Sequence, residues 1–323
     1  MEQGTFPRLK EIEAAAERIA GVACRTPLVE SPSLSRLTGR EVYLKLECFQ
    51  PIKVFKIRGA YNKISEVKER DVVAVSSGNH GIAVAYSSRL LGKRCTIVVP
   101  ETAVREKVET IQDYGAEVVR AGRFSVEREA KAKKIARATG AVFIHPFDDP
   151  EVVAGQGTCG LEISEQLSDF DSVLVPVGGG GLISGVATAL KERGVTAGVV
   201  GVEPENAPKL AAALKAKKAV KVPSQPSLAD GLIPQALGSL ALQACSRYVD
   251  SAITVSEEGL FAATKAMVNV ARIIAEPSGS APLAPLLTKT PGLGDRVVLV
   301  VSGGNISLEL LRKVLEPQPS QQS

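Results

Sequence analysis

The sequence predicts an α/β fold built on mostly parallel strands. Two patterns carry that expectation. Nine short runs rich in valine and isoleucine recur along the 323 residues, and most lack polar alternation, as strands buried on both faces do. Amphipathic stretches separate them, which is the order that right-handed β–α–β crossovers require. At roughly 150 residues per domain, the length suggests two domains.

The expected strands span residues 41–46, 72–76, 95–100, 117–121, 141–145, 172–177, 198–203, 252–255 and 297–301. Ahead of them, Leu9, Ile12, Ala16 and Ile19 fall on one face of a helix. Thr5 is the expected N-cap, with Pro7 in the first turn. Residues 215–238 are rich in Lys, Pro and Ser and read as a long irregular connection, the kind of loop that is often functional. The last seven residues read as a frayed tail. No repeat of fixed period is visible.

Composition removes several classes of function. Lys+Arg 39 against Asp+Glu 35 leaves +4, spread along the chain with no basic tail, so no nucleic-acid partner is expected. No apolar run approaches the roughly 18 residues of a membrane helix. The segment MEQGTFPRLK has no apolar core, so no signal peptide is expected. Five scattered cysteines form no CxxC pair and read as reduced thiols of a cytoplasmic protein. Two histidines are too few for a His-rich zinc enzyme, and no GxSxG, HExxH or Walker A string occurs.

Four segments carry chemistry. Gly178-Gly179-Gly180-Gly181 follows a strand and opens a helix. Such a loop exposes successive N–H groups beside the positive helix end, a cradle for phosphate or another anion. Gly179, Gly181 and Gly185 also make a loose GxGxxxG, with Glu203 about 20 residues on, so a nicotinamide-dependent oxidoreductase stays open. Ser76-Ser77-Gly78-Asn79-His80-Gly81 likewise joins a strand to a helix and suits a carboxylate or an anionic ring oxygen. Lys56 follows Phe55 in a weakly charged stretch, where loss of water would lower its amine pKa and permit a Schiff base. Ser302 ends the last strand, at the sheet edge where such folds bind ligands.

In this order the segments resemble the fold type II pyridoxal-phosphate enzymes, the tryptophan synthase β family. The resemblance runs from RTPL at 25–28 to the SGGN string. It is closest to the threonine/serine dehydratases, with serine racemase nearby, on FKIRGAYNK, SSGNHG, IHPFDDP, AGQGT, VPVGGGGL, GVEPENA and EPSG. It implies two open twisted, mostly parallel sheets flanked by helices, with the cofactor in the interdomain cleft. The expected large cofactor-binding domain is 1–69 with 148–323, and the small substrate-binding domain is 70–147. The implied reaction is the α,β-elimination of L-threonine or L-serine to 2-oxobutanoate or pyruvate and ammonia, in a homodimer. Serine racemisation, or dehydration of hydroxyaspartate or phenylserine, is the alternative.

The same resemblance assigns roles. Lys56 carries the Schiff base and acts as base on the substrate's α-carbon, and Phe55 packs against the ring. Gly178, Gly179, Gly180 and Gly181 hold the phosphate. Asn79 bonds the ring oxygen, and Ser302 meets the ring nitrogen. Ser76, Ser77, Asn79 and His80 surround the substrate carboxylate, and Ser77 is the position of the racemase's second base.

Departures from the family pattern carry their own expectations. Lys53-Val54 stands where Gly-Ser is usual, so Lys53 either repels Lys56 or lies in solvent. Phe147 stands where a racemase has Asn, which favours elimination. Racemase-like relatives hold a divalent cation with a carboxylate at the Glu203 position, a carbonyl near Ala207 and an Asp two residues later. Here that last position is Lys209, so no metal is expected. Lys209 either turns to Glu203 or points to solvent.

Overall fold

A computed structural model describes residues 5–76, 78–103, 105–122 and 125–316. Its ten strands are β1 Leu28–Glu30, β2 Glu41–Lys45, β3 Asp71–Val75, β4 Arg94–Val99, β5 Glu117–Arg120, β6 Val142–Phe143, β7 Ser172–Pro176, β8 Gly198–Pro204, β9 Ser251–Val255 and β10 Arg296–Val300. They form two open sheets. One has six strands in the order β1-β2-β10-β7-β8-β9, and the other has four in the order β5-β4-β3-β6. Every pairing is parallel except β1 against β2.

All nine expected strands are present, displaced by a residue or two at their ends. β1 was not expected. It is short and antiparallel, it lies on the edge, and two of its three residues are exposed, so it lacks the apolar run that marks the others. The first helix, Leu9–Ile19, buries Ile12, Ala15 and Ile19. Its N-cap is Arg8 rather than Thr5. The Glu11 carboxylate reaches back to the Arg8 backbone N–H at 2.9 Å, which satisfies a helix-start donor without a hydroxyl cap.

The strand pattern follows from burial on both faces. In β10 and the residue after it, Val297, Leu299 and Val301 enter one core, while Val298 and Val300 enter the opposite one. In the small sheet, β3 sends Val72 and Ala74 to one side and Val73 to the other. The sites of interest lie beyond the carboxyl ends of these strands. Ser76 follows β3, Gly178 follows β7 by one residue and Ser302 follows β10 by one residue.

A cluster of four charges sets where the chain turns toward that edge. Lys45 ends β2, Glu47 lies in the turn after it, Arg58 is in the helix Lys56–Glu66 and Glu162 is in the helix Pro150–Gln166. All four are buried. The Arg58 guanidinium donates from Nε to Glu47 at 2.7 Å and from Nη1 to Glu162 at 2.7 Å. Lys45 Nζ donates to Glu162 at 2.5 Å and to the Thr26 carbonyl at 2.8 Å. Two cations face two carboxylates, so the set is neutral. Buried ions of this kind are tolerable only when fully paired, and removing one partner strands the others. Arg58→Leu is therefore expected to destabilise the protein by about 3–5 kcal/mol, read from denaturant unfolding. A loss below about 1 kcal/mol, the scale of an exposed ion pair, would contradict this.

Candidate active site

Lys56 is the first residue of its helix. Two contacts set the backbone ahead of it: Val54 bridges to Gly303, and the Phe55 N–H donates to the Ser302 carbonyl at 3.0 Å. The reactive segment is thereby tied to the end of β10. Lys56 Nζ donates to the Pro146 carbonyl at 2.8 Å and lies 5.1 Å from the centre of the Phe55 ring. No carboxylate among the described residues is bonded to it. Burial alone lowers its pKa to about 8, because the charged ammonium loses water without gaining a counter-ion.

Lys53 has no part in that shift. Its side chain is exposed, so of the two expectations the solvent reading holds and the repulsion reading does not. Lys53 adopts φ +62°, a left-handed conformation that glycine occupies without strain. That accounts for glycine being usual at this turn, and Lys53 keeps the turn at the cost of left-handed strain.

The residues after Pro146 join the lysine to the glycine run. Phe147 lies against the loop, and a Cβ on Gly179 would collide with its ring. A Cβ on Gly178 would come within 2.6 Å of the Gly231 carbonyl. Gly180 has φ +95°, so only glycine is unstrained there. The helix Gly181–Glu192 begins at once, and its first N–H groups have no partner within the helix. The Asp148 carboxylate accepts from Leu240 N at 2.9 Å, and Gly238 N donates to the Gly179 carbonyl at 3.0 Å. Close packing on three sides leaves no room for side chains in the run.

The third wall is the start of the helix Asn79–Leu90. The Gly78 N–H donates to Ser76 Oγ at 3.1 Å. Asn79 Nδ2 donates to Glu276 at 2.7 Å, and its Oδ1 accepts from Asn305 Nδ2 at 2.7 Å. His80 is buried and its Nε2 lies 3.1 Å from the Ile144 carbonyl. Burial, with Lys56 adding repulsion, lowers its pKa to about 3. The imidazole is thus neutral and donates to that carbonyl, so what His80 offers a carboxylate is its backbone N–H and not its ring. Ser77 lies outside the described residues. Ser302 is buried at the end of β10.

Two groups at this site were not assigned a role from the sequence. Glu276 is buried, and its pKa is raised to about 7, first by loss of water and then by Asp230. Asn305 completes the chain of side chains through Asn79. The strings EPSG and SGGN marked both segments but gave no partner.

The chain matches the family described as pyridoxal-phosphate dependent enzyme over residues 19–303. It belongs to that family. It is 42% identical to an L-threonine ammonia-lyase of Thermotoga maritima, over 95% of this chain and 78% of the relative. Among solved structures, a threonine deaminase from T.th. is 40% identical with a TM-score of 0.90, covering 93% of this chain and 99% of that one. A maize serine racemase is 36% identical with a TM-score of 0.91, covering 95% and 96%. The fold is that of the type II enzymes of this family.

The site suits the family's cofactor. An amine without a counter-ion stands ready for its aldehyde, and a loop stripped of Cβ atoms opens a helix whose N–H groups suit its phosphate. On the far side of the glycine loop, Lys209 resolves the two expectations made for it. Its Nζ is fully buried, 3.3 Å from Glu203, and it donates to the carbonyls of Ala207 at 3.0 Å and Leu232 at 2.8 Å. It does not point to solvent.

The lowered pKa gives the apoprotein a measurable property. The neutral, nucleophilic form of Lys56 predominates above its pKa, so modification by an amine reagent should rise through a midpoint near pH 8. A midpoint near 10.5, the ordinary lysine value, would show that burial does not act on this amine.

Proposed function

We propose that Lys56, the glycine run and the start of the helix Asn79–Leu90 together carry out the deamination of L-threonine and L-serine to 2-oxobutanoate or pyruvate and ammonia. The observation that carries this reading is the half-buried Lys56 amine, which has no carboxylate partner among the described residues and is set between the glycine loop and the helix start. The close relatives named as threonine ammonia-lyase and threonine deaminase support the same substrate class.

Gly178 to Gly181 would hold the cofactor phosphate, Asn79 its ring oxygen, Ser302 its ring nitrogen and Phe55 its ring face. Pyridoxal phosphate, when bound, supplies an electron-accepting ring that takes up the charge released at the substrate's α-carbon. The backbone N–H groups at the helix start, with Ser76 and Ser77, bind the substrate carboxylate against the positive helix end. Lys56 Nζ takes the α-proton. A hydroxyl at Ser302 does not keep the ring nitrogen protonated as a carboxylate would. Charge at the α-carbon would then be short-lived, which favours loss of the β-hydroxyl, and the proton that Lys56 takes from the α-carbon would balance the hydroxide so that water leaves. The enamine product tautomerises and is hydrolysed to the 2-oxo acid and ammonia.

Phe147 favours elimination over racemisation. Its ring covers Gly179 and supplies no polar group where the racemases have Asn. Domain boundaries near 69/70 and 147/148 belong to this reading: the strands of the four-stranded sheet all fall between Asp71 and Phe143. So do a homodimer and a cytoplasmic setting, the latter consistent with buried, unpaired Cys48, Cys95, Cys159 and Cys245. No helix among the described residues is long and apolar enough to cross a membrane. The Lys209 ammonium, held by Glu203 and two carbonyls, supports metal-independent activity, because a positive charge seated against those oxygens takes the cation's place and repels it.

Ammonia release and chiral analysis test this directly. The cofactor-loaded protein should form 2-oxobutanoate from L-threonine far faster than D-serine from L-serine, and EDTA should leave the rate unchanged. Lys56→Ala should lower the rate by at least about 10²-fold, the scale of a lost catalytic base. D-serine as the main product, or full activity in the variant, would overturn the reading.

A further inference from the structure

We propose that Asn305 and Glu276 are positioning residues that lock the side-chain amide of Asn79, so that the group it presents to a ligand is an N–H and not its oxygen. The proposal rests on the reading above in which Asn79 bonds the cofactor's ring oxygen.

The lock is anchored in the main chain. Asn305 Nδ2 lies 3.2 Å from the Ile52 carbonyl. A carbonyl only accepts, so the nitrogen end of Asn305 must face it. The second hydrogen on that nitrogen goes to Asn79 Oδ1 at 2.7 Å. Asn79 therefore presents oxygen to Asn305 and nitrogen to the other side. There Glu276 Oε1 accepts from Asn79 Nδ2 at 2.7 Å. An ionised carboxylate likewise only accepts, so above its pKa of about 7 Glu276 imposes the same orientation independently.

Glu276 is itself held in place. Its backbone N–H donates to the Gly303 carbonyl at 3.0 Å, and a Cβ on Gly303 would collide with its Oε1. The glycine of the SGGN string thus leaves room for the carboxylate. With Oδ1 bonded to Asn305 and one N–H spent on Glu276, Asn79 keeps one N–H to offer. Turning the amide over would set its oxygen against the Glu276 carboxylate and its NH2 against the Asn305 NH2, losing both hydrogen bonds. The cost falls on buried or half-buried groups, where unpaired polar atoms are expensive.

The orientation decides chemistry at the ring. An N–H beside the ring oxygen stabilises its ionised form, whereas an amide oxygen there favours the protonated form. The two forms of the bound cofactor absorb in the visible and in the near ultraviolet, so the ratio of the bands reports which end of Asn79 is presented.

Asn305→Asp tests this with nearly the same shape. The new carboxylate has no N–H, so Asn79 turns to donate to it. Loaded with pyridoxal phosphate, this variant should lose most of its visible band to the near ultraviolet. It should also bind the cofactor about tenfold more weakly, the loss expected for one hydrogen bond of about 1.4 kcal/mol. Asn305→Asp combined with Glu276→Gln gives the turned amide a donor for its oxygen. Thermal stability of that apoprotein should move back toward the parent value while the visible band stays lost. Recovery of the band together with stability would mean a merely structural role and would overturn the proposal. So would a parent-like band in a folded Asn305→Asp protein when Asn79→Ala has lost it. A parent-like band in Asn79→Ala itself would remove the reading of Asn79 as the ring-oxygen donor, and the proposal with it.

Discussion

Four charges kept from water decide where Lys56 stands. Arg58 lies two residues after Lys56, and its guanidinium is gripped by Glu47 and Glu162 from two other elements. Lys45 completes the set by donating to Glu162. The cluster joins the end of β2, the turn after it and the two helices that flank the site. Hydrophobic packing of similar volume would be no less stable. What the ions add is direction: a bidentate guanidinium accepts only one arrangement of its partners. The first turn of the helix, with Lys56 in it, is thereby held at one place and one rotation.

The short junction at Pro146–Asp148 depends on that placement and extends it. In three consecutive residues it supplies a carbonyl to Lys56, a ring to Gly179 and a carboxylate to the start of the helix Ser239–Tyr248. A shift of the junction would therefore alter the lysine and the glycine loop together. Lys107, in the helix Arg105–Asp113, pairs with Asp230 at 3.0 Å. That pair is exposed, so it is worth little by itself.

The sheet was largely legible because its strands are buried on both faces, and burial on both faces writes itself as unbroken valine and isoleucine. β1 was not, since one half-buried and two exposed edge residues carry no such signal. The glycine run was legible as an anion cradle, and the structure adds what a side chain there would meet: Phe147, Gly231 and Ala241. Lys56 was legible mainly through its neighbours in the resemblance, because a lysine's desolvation depends on residues far along the chain. The same limit hid the lock on Asn79. Its partners lie 197 and 226 residues away, a separation that no periodicity or local motif encodes. His80 shows the converse: its string marked it for the site, but the fold spends its ring on the Ile144 carbonyl.

The central claim is that one half-buried amine, Lys56, holds the cofactor covalently while the nearby Lys53 stays in solvent. Borohydride reduction of the cofactor-loaded protein, followed by peptide mass mapping, locates that bond. The expected result is a single phosphopyridoxyl group on Lys56. Its attachment to Lys53, or labelling spread over surface lysines, would contradict the placement of the reaction at the start of this helix.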